Sequence, residues 1–404
     1  MIVAEHKFDT AEKRWAGIGP YYAMFPTKFA DKVITQYTNE GDIVLDPFAG
    51  RATSIYSATI QNRIGIGIEL NPVGWVYGKT KLHPASQNNV EKRLLEIAQM
   101  AERYREASDN LPEFFQLCFS QNVRRFLVTA RAQLKWKQKA VDWTLMGLLL
   151  VYLHGKRDQS LSNQMRQTKS MAPDYAVRWW KERNLVPPEI DPVCFMLSRI
   201  QWRYAKGLPS ATRSQIHLGD CNNILVKVRK HLVTSNKLPV RLVFTSPPYC
   251  GVTNYHYDQW IRLWLLGYPP APNSSLGKNR ERFQIHGEYK SLIEKTFRKV
   301  AFLTGRGSVI YVRTDSRKFT FDTTYSTLKQ LFPTKRMSFV EQPVLGNTQT
   351  TLFDNTAIKT DEVDIILKKF NYHWFNETLS FRLPIDYSSI FQLKWGKSGI
   401  VGDS

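Results

Sequence analysis

The alternation of apolar runs with amphipathic stretches predicts a β-α-β unit near the start of the chain. An apolar run follows Gly41 and ends at Asp46, and residues 63–69 form a second run that ends at Glu69. Between the two runs lie a glycine-containing turn and a helical stretch through about Gln61. Two strands joined by a helix within about 30 residues are the repeating element of a parallel sheet, whose ligands bind at the carboxyl ends of the strands.

Strand-like runs return in the second half of the chain. They cover residues 214–220, 240–249, 307–313, 336–344 and 361–367. Helical patterns near residues 292–303 and 321–331 separate the later runs. Because strands alternate with helices in both parts of the chain, the pattern predicts an α/β fold with a doubly wound sheet.

Residues from about 85 to 211 follow a helical pattern and contain no strand-like run. The helical stretches cover residues 88–105, 122–139, 142–154, 175–183 and 192–204. The apolar run over residues 145–153 is less than half of the about 20 residues that cross a membrane, so it predicts a buried helix. We therefore predict a discontinuous sheet domain over residues 1–84 and 212–370, a helical insertion over 85–211, and an extension of unknown role over 371–404.

The composition predicts a folded chain with a polyanionic partner. The 404 residues are 43% hydrophobic and 13% aromatic, which is ample for a packed core. There are 56 Lys and Arg against 35 Asp and Glu, and the resulting net charge of +21 favours nucleic acid as the partner.

Cysteine usage and the apolar runs indicate a cytoplasmic protein without membrane contact. The cysteines, at positions 118, 194, 221 and 250, form no CxxC pair and no cluster with histidine. This spacing disfavours structural zinc and suits a reducing cytosol. The first residues also lack the long apolar core of a signal peptide.

Acidic residues end three of the predicted strands, where a nucleoside would bind. In the DPFAGRAT segment, Asp46 ends the first strand, Gly50 lets the backbone approach a ligand, and Thr53 is placed to cap the next helix. Glu69 lies 23 positions after Asp46, close to the spacing of about 20 in nucleoside-binding folds. There it can accept from ribose hydroxyls, while Asp220 is placed to accept from an adenine amine.

The TSPPY segment, residues 245–249, carries the groups needed to hold a base that has left its stack. The two successive prolines have no N–H and keep the backbone extended, so they offer carbonyl acceptors beside a serine hydroxyl. An exocyclic amine has two N–H donors and needs two acceptors, and a flipped base needs an aromatic face in place of its lost stacking. The candidate catalytic residues are therefore Ser246, Pro247, Pro248 and Tyr249.

Together these segments resemble the S-adenosylmethionine-dependent DNA amino-methyltransferases, which modify cytosine N4 or adenine N6. GIGPYYAMFP, residues 17–26, is similar to the family's N-terminal cofactor motif. VLDPFAGRAT with GIELNP is similar to its cofactor loop, and TSPPYCGVTNYHYDQWIRLWLLG to its catalytic region. The resemblance covers about half of the chain.

The resemblance implies a Rossmann-like methyltransferase sheet, S-adenosylmethionine as the cofactor and double-stranded DNA as the partner. It also implies, position by position, which residues bind the cofactor. These are Tyr22, Phe25, Pro26, Asp46, Pro47, Phe48, Ala49, Gly50, Thr53, Glu69, Asp220 and Cys221.

Two positions depart from the family pattern, which usually has Ser-Gly where this chain has Arg51 and Ala52. Alanine at position 52 is expected to keep a negative φ. The Arg51 side chain is expected either to crowd the cofactor site or to pair with the cofactor carboxylate. The helical insertion also lies between Glu69 and Asp220, which is not the usual place for the family's target-recognition region.

The resemblance further implies direct transfer of a methyl group to a base amine. Accepting the two amine hydrogens at Ser246 Oγ and the Pro247 carbonyl favours the tetrahedral nitrogen of the transition state. A serine before Pro-Pro is commoner in the N4-cytosine enzymes, so cytosine is favoured over adenine. Covalent C5-cytosine chemistry typically uses a cysteine that follows a proline, and here no cysteine does.

Basic residues in two segments are candidates for contacting DNA. The predicted helix over residues 122–139 carries basic side chains with no acid among them, as a helix that follows phosphates would. Residues 269–286 read as a mobile loop beyond the catalytic motif, able to close over DNA. The candidates are Arg124, Arg125, Arg131, Lys135, Lys278, Arg280 and Arg282.

Three alternatives to an N4-cytosine DNA methyltransferase stay open at this point. The first is an N6-adenine DNA methyltransferase, and the second is an RNA base methyltransferase with a similar Pro-Pro-Tyr motif. The third is a non-catalytic DNA-binding subunit, which Arg51 and Ala52 favour and the intact acidic and TSPPY positions oppose. The sequence has no nuclease, P-loop or helicase signature, so a role in a restriction-modification or defence system predicts a partner protein that cleaves DNA.

Overall fold

One sheet of seven strands runs through the computed structural model, which describes residues 8–20, 25–251, 255–272, 281–341 and 362–370. The strands are β1 (Ile43–Asp46), β2 (Ile64–Glu69), β3 (Gln215–Leu218), β4 (Val240–Thr245), β5 (Thr304–Asp315), β6 (Lys335–Glu341) and β7 (Glu362–Lys369). Their order across the sheet is β3-β2-β1-β4-β5-β7-β6. β7 is antiparallel to both of its neighbours, and all other neighbouring pairs are parallel.

The strand order creates a switch point between β1 and β4. The chain moves outward from β1 to β2 and β3, and it then returns to place β4 on the other side of β1. In open sheets of this kind, ligands bind in the crevice outside the carboxyl ends of the strands at the switch point. The predicted doubly wound, Rossmann-like α/β class is confirmed, and the last residues of β1 and β4 flank the crevice.

Seventeen α-helices surround the sheet in the described part of the chain, and none of them combines the length and apolar character needed to cross a bilayer. They are α1 (Ala11–Ala16), α2 (Thr27–Tyr37), α3 (Thr53–Ile60), α4 (Pro72–Leu82), α5 (Gln87–Gln99), α6 (Arg105–Asp109), α7 (Glu113–Cys118), α8 (Gln121–Gln133), α9 (Ala140–Tyr152), α10 (Pro173–Glu182), α11 (Pro192–Tyr204), α12 (Cys221–Thr234), α13 (Tyr255–Asp258), α14 (Trp260–Leu265), α15 (Glu281–Gln284), α16 (His286–Ala301) and α17 (Lys318–Leu331).

Several predicted boundaries are wrong: the strand predicted over residues 240–249 ends at Thr245, the helix predicted over 88–105 is interrupted after Gln99, and two further segments differ. The helix predicted over residues 122–139 ends at Gln133. Leu134 has an extended backbone, and the Lys135 N–H donates to the Asp142 carboxylate at 2.8 Å instead of to a helix carbonyl. The segment predicted as a loop over residues 269–286 contains α15, and the Phe283 carbonyl accepts the Gly251 N–H at 2.7 Å. α15 therefore contacts the backbone just after the TSPPY segment.

Close packing of helices on the sheet explains two glycines near the switch point. A Cβ on Gly65 of β2 would lie 2.6 Å from Ile55 Cγ2, so α3 packs directly on this strand. A Cβ on Gly74 would lie 2.6 Å from the Gly50 carbonyl oxygen, so the first turn of α4 packs against the loop after β1. α4 begins there because Asn71 caps the Val73 N–H at 2.9 Å and Pro72 occupies the first turn.

The apolar core has a part on each face of the sheet. α12, α16 and α17 pack on one face, and α2 with part of α3 packs on the other. A third cluster joins α3 and α4 to the helices of residues 87–204, with α9 lying against α4. The helical region therefore shares a core with helices of the sheet domain, while the proposed domain boundaries stay predictions.

Candidate functional site

A buried carboxylate at the end of β1 joins the two segments that flank the switch point. Asp46 Oδ1 accepts a hydrogen bond from the Thr245 hydroxyl at 2.6 Å and another from the Phe48 N–H at 3.0 Å. Its other oxygen accepts from the Ser54 hydroxyl. Burial raises the pKa of Asp46 to about 6, although these donors favour the charged form. Asp46 therefore holds the DPFAGRAT loop against the start of the TSPPY segment.

The carboxylate at the end of β2 shapes the same loop. Glu69 Oε2 accepts the Gly50 N–H at 2.7 Å, and Oε1 accepts the Asn71 N–H at 2.6 Å. Burial raises the pKa of Glu69 to about 8, against the effect of these two amides. In its ionised form this carboxylate has about four lone-pair sites, so two backbone bonds leave acceptor capacity for the ribose hydroxyls that the sequence assigns to Glu69.

In the turn between β1 and α3, the expectations for Ala52 and for Thr53 as a helix cap are wrong. Ala52 has a φ of 62°, in the left-handed region, whereas a negative φ was expected. Neighbouring hydrogen bonds impose this conformation, since the Ala49 N–H is fixed to the Ile68 carbonyl at 2.9 Å and the Ala52 N–H to the Ala49 carbonyl at 2.7 Å. Ala52 is also the N-cap residue, so Thr53 is the first residue of α3 and does not cap it.

The buried Arg51 side chain bonds to carbonyl and hydroxyl groups of the protein, and its expected effect on the cofactor stays a prediction. Its Nη1 donates to the Gly19 carbonyl at 3.0 Å and to the Ile18 carbonyl at 3.4 Å. Its Nε donates to the Thr53 hydroxyl at 3.2 Å, and burial lowers the pKa of the guanidinium to about 10. Buried Lys81 donates to the Arg51 carbonyl at 2.7 Å, and burial holds the pKa of this amine well below its usual value. Arg51 thus fastens the loop to the segment that leads into residues 20–26.

The N-terminal cofactor motif packs on the strand that carries the catalytic segment. Phe25 is buried and stacks on Phe244 of β4, with ring centroids 4.3 Å apart and planes at 19°. Pro26 is half-buried at the N-cap of α2, and Tyr22 lies outside the described residues. The described part of this motif is therefore close to the switch point.

The third acidic position lies at the end of β3, where Asp220 caps α12 by accepting the Asn222 N–H at 2.9 Å. Asp220 is half-buried. The preceding Gly219 donates its N–H to the Glu69 carbonyl at 2.9 Å, which aligns the ends of β2 and β3. The Cys221 side chain is directed into the core, with Sγ 3.3 Å from the Thr296 hydroxyl. The role of Cys221 in binding the cofactor stays a prediction.

The loop residues and the TSPPY segment have mixed exposure. Pro47, Ala49, Pro247 and Pro248 are buried, whereas Phe48, Gly50, Ser246 and Tyr249 are half-buried. Ser246 Oγ lies 3.4 Å from the Tyr249 hydroxyl. Burial and the nearby Glu362 raise the pKa of Tyr249 well above its usual value, so this hydroxyl stays protonated and can donate.

Sequence reasoning missed the charged network behind the TSPPY segment. Glu362 Oε1 accepts from the Tyr249 hydroxyl at 3.3 Å, and the Arg313 guanidinium lies 3.4 Å from the other oxygen. Arg313 also donates to Asp364 at 2.7 and 3.0 Å and stacks over the Phe29 ring at 4.0 Å. The signal was present in the sequence, because charged residues interrupt the apolar runs of β5 and β7, where an unpaired charge is rarely buried.

Three of the seven basic residues that the sequence assigns to DNA bond to other groups of the protein. Arg124 donates to the Phe119 carbonyl at 2.8 Å, and Arg125 pairs with Glu102 at 2.8 Å. Arg131 donates to the carbonyls of Trp264, Gly267 and Tyr268 at the end of α14.

Of the four remaining candidates for contacting DNA, the structure describes the side chain of Lys135 alone. Lys135 is exposed beyond the end of α8. Lys278 and Arg280 lie outside the described residues, as does the side chain of Arg282. The DNA role of all seven residues stays a prediction.

Comparison with known proteins finds similarity in the segment that contains the DPFAGRAT loop and Glu69. A DNA methylase family model for N6 and N4 methyltransferases matches residues 4–73. An orphan methyltransferase from Bacillus amyloliquefaciens is 47% identical over 49 residues, which are 12% of this chain and 18% of that protein. A type II methyltransferase from Methanocaldococcus jannaschii is 27% identical over 128 residues, 30% of this chain and 24% of that protein. The chain thus spans less than a quarter of the length of either relative.

A solved rRNA methyltransferase from Streptomyces viridochromogenes aligns over 86% of this chain and 87% of its own. Its TM-score is 0.32 and its sequence identity is 12%. The fold class of this chain rests on its own strand order and not on that alignment.

Proposed function

We propose that the chain is a DNA amino-methyltransferase, as the similarity of its matched segments supports, and that it methylates the exocyclic amine of a flipped base in double-stranded DNA. S-adenosylmethionine would supply the methyl group as an electrophilic carbon on a sulfonium. We place the enzyme in a restriction-modification or defence system with a separate nuclease partner. Cytosine N4 is the favoured target and adenine N6 the alternative.

The observation that carries this proposal is the contact between Thr245 and Asp46. It sets the TSPPY segment beside the DPFAGRAT loop at the switch point, so the segments that we assign to the amine and to the nucleoside lie at one crevice. The family model ends at residue 73, before the TSPPY segment, and this contact therefore supports the proposal independently.

The residues around the loop fit a nucleoside cofactor chemically. Glu69 keeps spare acceptor capacity for a ribose diol, and half-buried Asp220 presents a carboxylate at the end of the next strand for an adenine amine. Gly50 is half-buried and has a positive φ of 53°, which keeps the loop backbone open to a ligand.

The base would be held by the TSPPY segment. Ser246 Oγ and the Pro247 carbonyl accept the two amine hydrogens, which favours a tetrahedral nitrogen with its lone pair directed at the methyl group. Tyr249 stacks on the base and orients it for in-line attack. The chain needs no strong base, because the amine proton becomes acidic once the nitrogen carries the methyl group.

C5-cytosine chemistry is disfavoured by the cysteine nearest to this segment. Cys250 follows a tyrosine, is buried, and has its pKa raised by that burial. A raised thiol pKa lowers the fraction of thiolate, which is the nucleophile that the covalent route requires.

Labelled S-adenosylmethionine tests the proposal when it is incubated with the full chain and double-stranded DNA or RNA, followed by digestion to nucleosides. We expect label in N4-methylcytosine from DNA, with Ser246→Ala lowering incorporation about 100-fold while cofactor binding by calorimetry persists. Label in N6-methyladenine would select the alternative base. Label in RNA only, or no label in any base, would refute the proposed function. Ser235→Ala is the matched control, since it removes a half-buried hydroxyl at the end of α12 that donates to the His231 carbonyl at 2.7 Å.

A further inference from the structure

A row of hydrogen-bonding groups leads from the TSPPY serine to a carboxylate on β7. The Ser246 hydroxyl donates to the Tyr249 oxygen at 3.4 Å, and the Tyr249 hydroxyl donates to Glu362 Oε1 at 3.3 Å. Both distances exceed the about 2.8 Å typical of hydroxyl hydrogen bonds, and contacts of this kind at catalytic sites commonly shorten when substrate binds.

The far end of the row is fixed by charge pairs. Glu362 is about one-fifth exposed, and its Oε2 lies 3.4 Å from Arg313, which the two Asp364 oxygens hold in place. In the sheet register, Glu362 lies opposite Asp315, and Asp315 pairs with Arg317. Burial raises the pKa of Glu362, while Arg313 on β5 favours its charged form.

We propose that Glu362 is a positioning residue that sets the direction of this hydrogen-bond row, so that Ser246 Oγ turns its lone pairs toward the target amine. The inference deepens the proposed methyltransferase function and rests on it. An ionised carboxylate can only accept, so the Tyr249 hydroxyl must donate to it. The Tyr249 oxygen then accepts the Ser246 hydrogen, and both lone pairs of Ser246 Oγ stay available to the amine.

Protonation of Glu362 would reverse the row. A protonated carboxyl donates to Tyr249, Tyr249 donates to Ser246, and the Ser246 hydrogen is then directed at the base. A hydrogen directed at an amine N–H opposes the contact that methyl transfer needs. The rate of methyl transfer should therefore fall as the pH drops below the pKa of Glu362.

The test compares Glu362→Gln with the wild-type chain, and Glu341→Gln, which removes an exposed glutamate on the neighbouring β6, is the matched control. The rate of a single methyl transfer is measured against pH at saturating cofactor, and cofactor affinity is measured by calorimetry. Glutamine can both donate and accept but does not titrate, so we expect a rate roughly 10- to 100-fold lower, with one acid step of the profile lost and cofactor affinity unchanged. Effects of Asp46 and Glu69 titration are common to all three proteins and cancel in the comparison.

A second variant tests the same inference if Glu362→Gln fails to fold. Tyr249→Phe keeps the stacking ring and removes the hydroxyl between Ser246 and Glu362, so it should lose the same acid step. Retention of that step by either variant that folds overturns this inference and leaves the methyltransferase function intact. A wild-type chain that methylates no base overturns both.

Discussion

The Thr245 hydroxyl donates a 2.6 Å hydrogen bond to Asp46 Oδ1, and so joins the last residues of two neighbouring parallel strands across 199 residues of chain. The bond is buried, since Asp46 is 1% and Thr245 0% exposed. One end of it begins the loop that we assign to the cofactor, and the other begins the segment that we assign to the base. The bond therefore fixes the spacing of these two segments.

Removing the Thr245 hydroxyl should weaken both stability and cofactor binding. Thr245→Val keeps the shape but leaves Asp46 Oδ1 with only the Phe48 amide, so we expect a loss of about 1–3 kcal/mol in the free energy of unfolding. Urea unfolding measures the stability, and calorimetry measures the affinity for S-adenosylmethionine. Thr129→Val, which removes a buried hydroxyl bonded within α8, should leave cofactor affinity unchanged. Equal affinity in both variants would show that the contact does not shape the site.

Replacing Ala52 with glycine should stabilise the folded chain. At a φ of 62° alanine is strained, and Ala52→Gly should raise the free energy of unfolding by roughly 0.5–1 kcal/mol after the extra entropy of glycine in the unfolded chain is counted. Ala58→Gly, in the buried interior of α3, should instead lower it by about 1 kcal/mol or more. Thermal or urea unfolding separates the two. A loss of stability in both variants would contradict the strain at position 52.

The stability of the chain should depend on pH through Glu69. Its pKa is raised from 4.5 to about 8 in the folded state, so the folded chain binds this proton more tightly than the unfolded chain. The contribution is complete below the unfolded pKa and is lost as the pH rises toward about 8. Urea unfolding across this range should show a decline for the wild-type chain that is smaller in Glu69→Gln. Glu341→Gln should decline as the wild type does, and an identical decline in all three proteins would exclude Glu69 as the source.

Variants of Arg131 and Lys135 should distinguish a residue that stabilises the fold from one that contacts DNA. Arg131→Gln removes the donor to three carbonyls at the end of α14, so it should lower the free energy of unfolding by about 1–3 kcal/mol. Lys135→Gln alters an exposed charge and should leave stability unchanged while reducing the slope of log affinity for DNA against log salt by about 1. Fluorescence anisotropy with duplex DNA at several salt concentrations measures the slope. An unchanged slope for Lys135→Gln would remove that residue from the DNA surface.

The sequence pattern was sufficient for the existence of the strands and for the acids that end β1 and β2. β1 and β2 end at Asp46 and Glu69 as predicted, because a buried parallel strand is a continuous apolar run and the first polar residue marks the end of that run. The chemistry of the TSPPY segment is likewise local, since two adjacent prolines restrict the backbone wherever they occur.

Contacts between distant segments depended on strand order and direction, which no local pattern encodes. Glu362 reaches Tyr249 because β7 is antiparallel to β5, so its first residue lies at the carboxyl end of the sheet, opposite Asp315. The same holds for Arg131, whose partners at the end of α14 are more than 130 residues away.

The conformation of Ala52 was also decided by tertiary structure. Alanine by itself prefers a negative φ, but Glu69 and the Ile68 carbonyl fix the loop just before it through the amides of Gly50 and Ala49. Sequence alone therefore determined which elements form and which residues end them. Only the folded chain decided which of those residues meet, because hydrogen bonds and charge pairs between distant segments form only after the sheet has set their distances.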